Sequence, residues 1–290
     1  MKKRKIIDNL VYVLMVVALT AVLAVLAFII VYILRSSAGF LNFSLFSGGA
    51  RGILPMIVTT VYVVLVSIAI ALPVGISTAI FLNEYSVNTE VSQRGSFPVR
   101  LLDSVYRILR LAIETLAGIP SIIYGLFGLL VFCRLLGFGQ SVIAGALTLS
   151  IMILPVIIRT TEESLKSIPD SFREASLSLG ATKFQTIFHV VLPSALPGIV
   201  TSVILAIGRV VGESAPVLLT VGLTRNMPRT IFESGRTLTI HLYYLTNEAI
   251  KPEDFGTAFA TAAVLVILVV IINTATKIIT GNFRKKLGKI

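Results

Sequence analysis

Six stretches of roughly 20 residues, almost free of charge, leave this chain few ways to fold. They run from Leu10 to Leu34, Leu54 to Leu82, Leu111 to Leu135, Ser141 to Ile158, Ala195 to Val221 and Gly256 to Ile279. Each is long enough to cross the hydrocarbon of a bilayer as a helix. In that setting the backbone must satisfy its own hydrogen bonds, and the runs lack the strict alternation of barrel strands. The expected fold is therefore an all-α integral membrane protein of about six transmembrane helices. Composition agrees: 13% of residues are charged, against about 25% for a soluble domain, and the mean hydropathy is +0.94. The opening "MKKRK" looks like the basic start of a secretory signal, but the apolar run behind it is too long for one, so it reads as a retained span. Cys133 is the single cysteine and excludes an internal disulfide.

Charge sets the expected orientation. If the amino terminus is cytoplasmic, the segments Lys2–Lys5, Arg94–Arg110, Arg159–Lys183 and Lys277–Lys289 hold 17 of the 25 basic residues on that side. The excess predicts both termini inside the cell membrane. It also absorbs most of the net charge of +11, leaving no basic, aromatic surface that would point to nucleic acid.

The segment "SFREASLSLGATKFQTIFHVVLP", Ser171 to Pro193, falls on the same side between the fourth and fifth spans. Ser171 with Glu174 has the spacing of a capping box, Gly180 reads as a helix stop, and Thr182 with Gln185 has the spacing of a second box. Pro193 is expected to end the second helix. Phe184, Ile187, Phe188 and Val191 make an apolar stripe that needs a covering surface: the protein's own helix ends, the lipid interface, or a partner.

Glu174, Ala175, Ser176, Gly180, Val190, Leu192 and Pro193 resemble the E-A-A…G…I-x-L-P motif of the permease subunits of binding-protein-dependent ABC importers. Ser176 and Val190 depart from it conservatively. "LPVGISTAIFLNEYS" from Leu72, "GIPSIIYGLFG" from Gly118 and "GRVVGESAPVLLTVG" from Gly208 resemble the phosphate-specific branch, in its A-type (PstA-like) form. The similarity covers about Ile53 to Lys277. It implies a subunit that forms the path for inorganic phosphate with a second, homologous permease (PstC-like). Two ATPase subunits (PstB-like) would hydrolyse the ATP and an external phosphate-binding protein (PstS-like) would deliver the anion. The chain itself would bind no cofactor and no metal, and membrane lipid would surround it in a prokaryotic plasma or inner membrane. Glu174, Ala175, Ser176, Gly180, Phe184 and Phe188 would dock into the ATPases as coupling helices. Arg209, Glu213, Ser121 and Tyr124 would lie on the substrate path.

Read physically, Gly118, Ser121, Gly125 and Gly128 leave one face of the third span nearly bare, which suits close helix contact or a path lining. Pro120 is expected to bend that span. Arg209 and Glu213, four residues apart near the middle of the fifth span, cost about 2.5 to 3.5 kcal/mol each at such a depth. Two readings of them stand: a structural ion pair, or a water-accessible anion path. Glu114 with Arg107 and Arg110 reads as an interfacial cluster.

After Leu223 comes a long external segment in which Leu238, Leu242, Tyr244 and Leu245 predict a short amphipathic helix, read as an interfacial anchor or a receptor contact. His189 and His241 lack a second ligand at metal spacing. The sequence contains no phosphate loop of the ATPase type; Gly288 and Lys289 match only part of one. Division into a 1–52 segment with the first span, a 53–280 permease core with its coupling loop at 170–193, and a 281–290 basic tail follows from these readings. Alternatives are a permease for another oxyanion such as sulfate or molybdate, an ATP-independent channel, and a membrane-embedded enzyme acting on a lipid phosphate.

Overall fold

The computed structural model describes residues 2–47, 52–85, 97–248 and 252–287. Arg94, Gly288 and Lys289, whose charge or motif was read above, lie outside these residues. The described elements are helices, in the order α1 (Lys2–Ser37), a 3-10 turn (Phe43–Phe46), α2 (Leu54–Glu84), α3 (Phe97–Gly118), α4 (Ser121–Gly128), a π-helical turn (Leu129–Leu135) and α5 (Val142–Lys166). After these come α6 (Asp170–Ser178), α7 (Lys183–Thr186), a second π turn (Ile187–Val191), α8 (Leu192–Gly212), α9 (Ala215–Thr220), α10 (Leu238–Glu248) and α11 (Pro252–Leu287).

Five helices have the length and apolarity to cross a bilayer, and α3 with α4 makes a sixth crossing bent by 107°. That pair does join the two ends of the molecule. Near one end Arg110 Nη2 donates to Glu162 Oε1 at 3.1 Å, close to the last turn of α5. Near the other, the Thr220 carbonyl accepts from Cys133 Sγ at 3.7 Å and from the Ser141 N–H at the start of α5. Six crossings then bring the start of α1 and the end of α11 to the end that carries the α6–α7 hairpin.

α5 is the central helix, packed between α2 and α8. Lipid is as apolar as the side chains, so close backbone approach and van der Waals fit must hold such helices together. A Cβ on Gly75 of α2 would stand 2.6 Å from Ile157 Cγ2 of α5, and Gly198 of α8 similarly faces Ser164. Val63, Leu149, Ile153, Ile157, Ile207 and Val211 fill the space between these helices. Ser150 Oγ donates to the Ser67 carbonyl at 3.0 Å, tying α5 to α2.

Two expected spans are broken. Leu111 to Leu135 stops at Gly118 and restarts at Ser121, with Pro120 extended (ψ 139°) as the cap of α4. A proline there removes a donor and pushes Ile119 out of helical geometry, so the expected bend becomes a break. Ala195 to Val221 stops at Gly212; Glu213 is extended (ψ 133°), and a separate short helix begins at Ala215 with Pro216 in its first turn. The pair Arg209 and Glu213 therefore spans a helix end and not one continuous helical face. The reverse holds at Pro193, expected as a stop: α7, the π turn and α8 run on as one 30-residue stretch, Lys183–Gly212. The wide turn at Ile187–Val191 sits just where Pro193 would otherwise clash, and Pro193 falls in the first turn of α8, where a missing N–H is tolerated.

Candidate functional site

The α6–α7 hairpin is built by three devices. α6 closes in a Schellman motif, with the Ala181 N–H donating to the Ser176 carbonyl (3.3 Å) and the Gly180 N–H to that of Leu177 (2.9 Å). Gly180 has φ +87°, which explains the glycine. α7 opens with the expected capping box of Thr182 and Gln185, both bonds being present. The expected Ser171–Glu174 box does not form: Pro169 takes the cap position and α6 starts at Asp170, so Ser171 lies inside the first turn. Ser176 Oγ and Thr186 Oγ1, 3.0 Å apart, link the two arms. Ser176 thus supplies a bond that an alanine at this motif position would lack.

Arg173 fastens the hairpin to the spans. Its Nη2 and Nε donate to Glu84 Oε1 at 2.9 and 3.2 Å, Nη2 also to the Leu165 carbonyl and Nη1 to the Ile168 carbonyl. The two side chains are 17% and 8% exposed. This clamp joins the ends of α2 and α5 to the loop, and sequence reading missed it: 89 residues separate the partners and no local spacing signals the pair.

The expected apolar stripe splits in two. Ile187 and Val191 are buried against the spans, whereas Phe184 and Phe188, ring centroids 4.4 Å apart, face outward. With Phe172, Leu177 and Leu179, the last 90% exposed, they form an apolar patch at the tip of the molecule. Glu174 and Ala175 are exposed beside it.

The expected path residues converge only in part. Tyr124 is buried, and its hydroxyl donates to the Leu116 carbonyl at 2.6 Å, stitching α4 back to α3 across the break. Arg209 lies within electrostatic reach of Tyr124. Arg209 Nε stands 3.7 Å from Glu213 Oε1, an ion pair beyond hydrogen-bond length. The two are 36% and 18% exposed, so they keep access to water. Ser121, at the first position of α4, is half-buried one turn from Tyr124. Gly125 and Gly128 serve packing: a Cβ on Gly125 would come within 2.8 Å of Pro216 Cα on α9, and Gly128 abuts Thr148 and Thr220. A Cβ on Gly118, by contrast, would meet open space. Glu114 is exposed and shares with Arg110, Arg159, Glu162, Glu163 and Lys166 a cavity of about 250 Å³ at the hairpin end; of the two expected partners, Arg110 lines this cavity and Arg107 does not.

The 223–248 segment packs onto the opposite end. Its carbonyls at Glu233 and Ile231 accept the otherwise unpaired N–H groups of Val142 and Ile143 at the start of α5. The expected helix is present as α10, but it is buried in protein as well as amphipathic: Leu238, Ile240 and His241 lie inside, and the Leu238 N–H donates to Thr60 Oγ1 of α2 at 2.9 Å. Burial, with Arg225 and Arg236 adding repulsion, pushes His241 down to about 4. Among the described residues no group of three metal-ligating side chains occurs.

Comparison with known proteins fits this architecture. Residues 96–289 match the family model of the binding-protein-dependent transport system inner membrane component. The chain is 33% identical over 303 residues to a probable ABC transporter permease, YqgI, of Bacillus subtilis, with 98% of each covered. It is 38% identical to the phosphate transport system permease protein PstA 1 of Mycobacterium tuberculosis over 74% of this chain and 66% of that one. Against PstA of Mycobacterium leprae the identity is 40%, over 72% and 64%. Its fold is similar to a chain of the bacterial alginate ABC transporter (TM-score 0.64, 16% identity, 94% and 96% covered) and of the MetNI methionine ABC transporter (TM-score 0.55, 22% identity, 82% and 94% covered). The chain belongs to the binding-protein-dependent transport system inner membrane components, the permease subunits of ABC importers.

Proposed function

We propose that this permease carries inorganic phosphate, working with a second homologous permease, two ATPases that hydrolyse ATP, and an external phosphate-binding protein. The observation that carries the coupling part is the hairpin: a rigid, doubly capped element, clamped by Arg173 to the ends of α2 and α5, with an apolar tip left uncovered. Exposed apolar patches of this kind mark interaction sites. Motion imposed on the tip by a partner is passed to the spans through the clamp and through α7, which runs without interruption into α8. Phosphate as substrate rests on the two mycobacterial relatives named PstA.

In this reading the hairpin end and both termini face the cytoplasm. Glu174, Ala175, Ser176, Gly180, Phe184 and Phe188 form the coupling surface. Arg209, at the break between α8 and α9, offers guanidinium donors to phosphate oxygens, and Glu213 tempers its field so that the anion can leave. Ser121 and Tyr124 sit beside the facing break between α3 and α4.

The test is ATP-dependent uptake of labelled phosphate into proteoliposomes holding the full set of subunits, with sulfate and molybdate as competitors. Uptake that needs every component and resists both competitors supports the assignment. Uptake of another oxyanion keeps the importer and overturns phosphate; flux without the ATPases overturns the mechanism.

A further inference from the structure

At the end opposite the hairpin, Arg225, Arg236, His241, Tyr244, Leu245, Glu248 and Asp254 line a cavity of about 260 Å³. Two guanidinium groups share it, and among the described residues neither has a carboxylate within ion-pair distance. Arg236 is fixed in place: its Nε donates to the Leu223 carbonyl at 3.0 Å and its guanidinium lies 4.6 Å from the centre of the Tyr244 ring. Arg225 is exposed and holds no such anchor. Each guanidinium repels the other, and burial together with that repulsion lowers Arg236 from its ordinary value. His241 is 2% exposed, and its Nδ1 has no hydrogen-bond partner. An orphaned buried nitrogen is costly and calls for an occupant. Arg225 also lines a second cavity of about 940 Å³, together with Arg229 and Glu233, so this one side chain borders both spaces.

The set of hydrogen-bonding groups selects among anions. Arginines only donate, carboxylates only accept, and neutral imidazole does one at each nitrogen. A fully ionised oxyanion such as sulfate satisfies the arginines but meets Glu248 and Asp254 as like charges. An oxyanion that keeps a proton, such as monohydrogen phosphate, offers acceptors to the arginines and its own O–H to a carboxylate.

We infer that the cavity beneath α10 is a receiving site for a protonated phosphate group, held by Arg225 and Arg236 with His241 as a third polar contact, and screened against sulfate by Glu248 and Asp254. This deepens the phosphate reading above and rests on it for the identity of the cargo. The site lies where an anion enters before it reaches the break that carries Arg209 and Glu213: the Glu213 carbonyl accepts from Thr239 Oγ1, two residues from His241.

Binding of labelled orthophosphate to the assembled transporter in phosphatidylcholine nanodiscs, without any external binding protein, tests the site. R236Q and R225Q are each expected to raise the half-saturating concentration at least tenfold. R225Q is the decisive variant, because Arg225 makes no structural hydrogen bond and its loss leaves the fold intact. In the wild type a large excess of sulfate should not displace phosphate; in the E248Q/D254N double variant it should. Unchanged binding in R225Q, or equal competition by sulfate in the wild type, overturns the site. Displacement by phosphatidic acid placed in the disc overturns free phosphate as the occupant in favour of a lipid headgroup. If wild-type uptake is phosphate-specific and R225Q alters neither binding nor uptake, the site fails and the importer reading stands. If R225Q-sensitive binding persists while the complete transporter takes up no phosphate, the importer reading fails and the site stands.

Discussion

Arg173 decides whether the hairpin moves with the spans. Its bonds to Glu84 are charge-assisted and mostly sheltered from water, so removing the guanidinium leaves a sheltered carboxylate whose Oε1 keeps only the Asn83 amide as donor. R173A should cost about 2 kcal/mol of stability, by the usual worth of hydrogen bonds to charged groups, read as a lower thermal midpoint and faster proteolysis at the hairpin. Arg209 should behave differently. Its pair is long and partly exposed, so R209Q is expected to cost under about 1 kcal/mol while reducing uptake at least tenfold; intact uptake with reduced stability would assign the pair a structural role. His241 gives a pH dependence. Its folded value near 4 lies below the ordinary 6.5. The unfolded chain therefore takes up the proton first as pH falls, and stability drops between about pH 6.5 and 4, by about 3 kcal/mol in all. The thermal midpoint followed against pH should show this slope in the wild type and a flatter one in H241Q. Arg209 and Glu213 were legible as costly charges in an apolar run. The helix end between them was not, because a spacing of four fits a continuing helix as well as an extended cap; Pro216, suited to a new first turn, was the signal available.

At the level of elements, local chemistry was read correctly where it is self-contained. The Thr182–Gln185 box and the Gly180 stop depend on residues within five positions and formed as expected, while the Ser171–Glu174 box lost to Pro169, whose fixed geometry sets an earlier start. Gly180 allows a clean test, because a Cβ there meets nothing within 4 Å and only its positive φ would resist a side chain. G180V should strain the turn by about 1 to 2 kcal/mol, leave insertion normal, and lower phosphate imported per ATP hydrolysed several-fold; unchanged coupling would remove the hairpin from the mechanism. Gly125 tests the other break. G125L forces a side chain against the α9 backbone and should separate α4 from α9, lowering the thermal midpoint more than G118L, where space is open. The apolar stripe on α7 shows why periodicity reached only half the answer: it marked four residues that avoid water but could not divide them between the chain's own core and an uncovered face.

Across the whole molecule, hydropathy counted the crossings but averaged over the two breaks, since a window of roughly 20 residues hides a two-residue interruption. What the breaks create is a geometry with two working ends. α2 alone, at 31 residues and about 1.5 Å per residue, separates Thr60, beneath α10, from Glu84, in the hairpin clamp, by most of a bilayer. An anion received at one end and a partner seated at the other can communicate through rigid displacement of the helices that reach both, with α2, α5 and α8 forming the packed core among them. α1 takes almost no part in that core: none of its membrane-length window is buried, and it touches the rest through its far end, where Tyr32 meets Phe259 at 5.6 Å. This arrangement makes sidedness the property on which the mechanism depends. Cys133 is buried, so single cysteines can report without interference. M227C, on the exposed wall of the large cavity, should react with a membrane-impermeant maleimide in intact cells, and F184C, at the hairpin tip, only after permeabilisation. The opposite pattern would invert the chain in the membrane, placing the basic cavity on the ATPase side and leaving the hairpin no ATPase to follow.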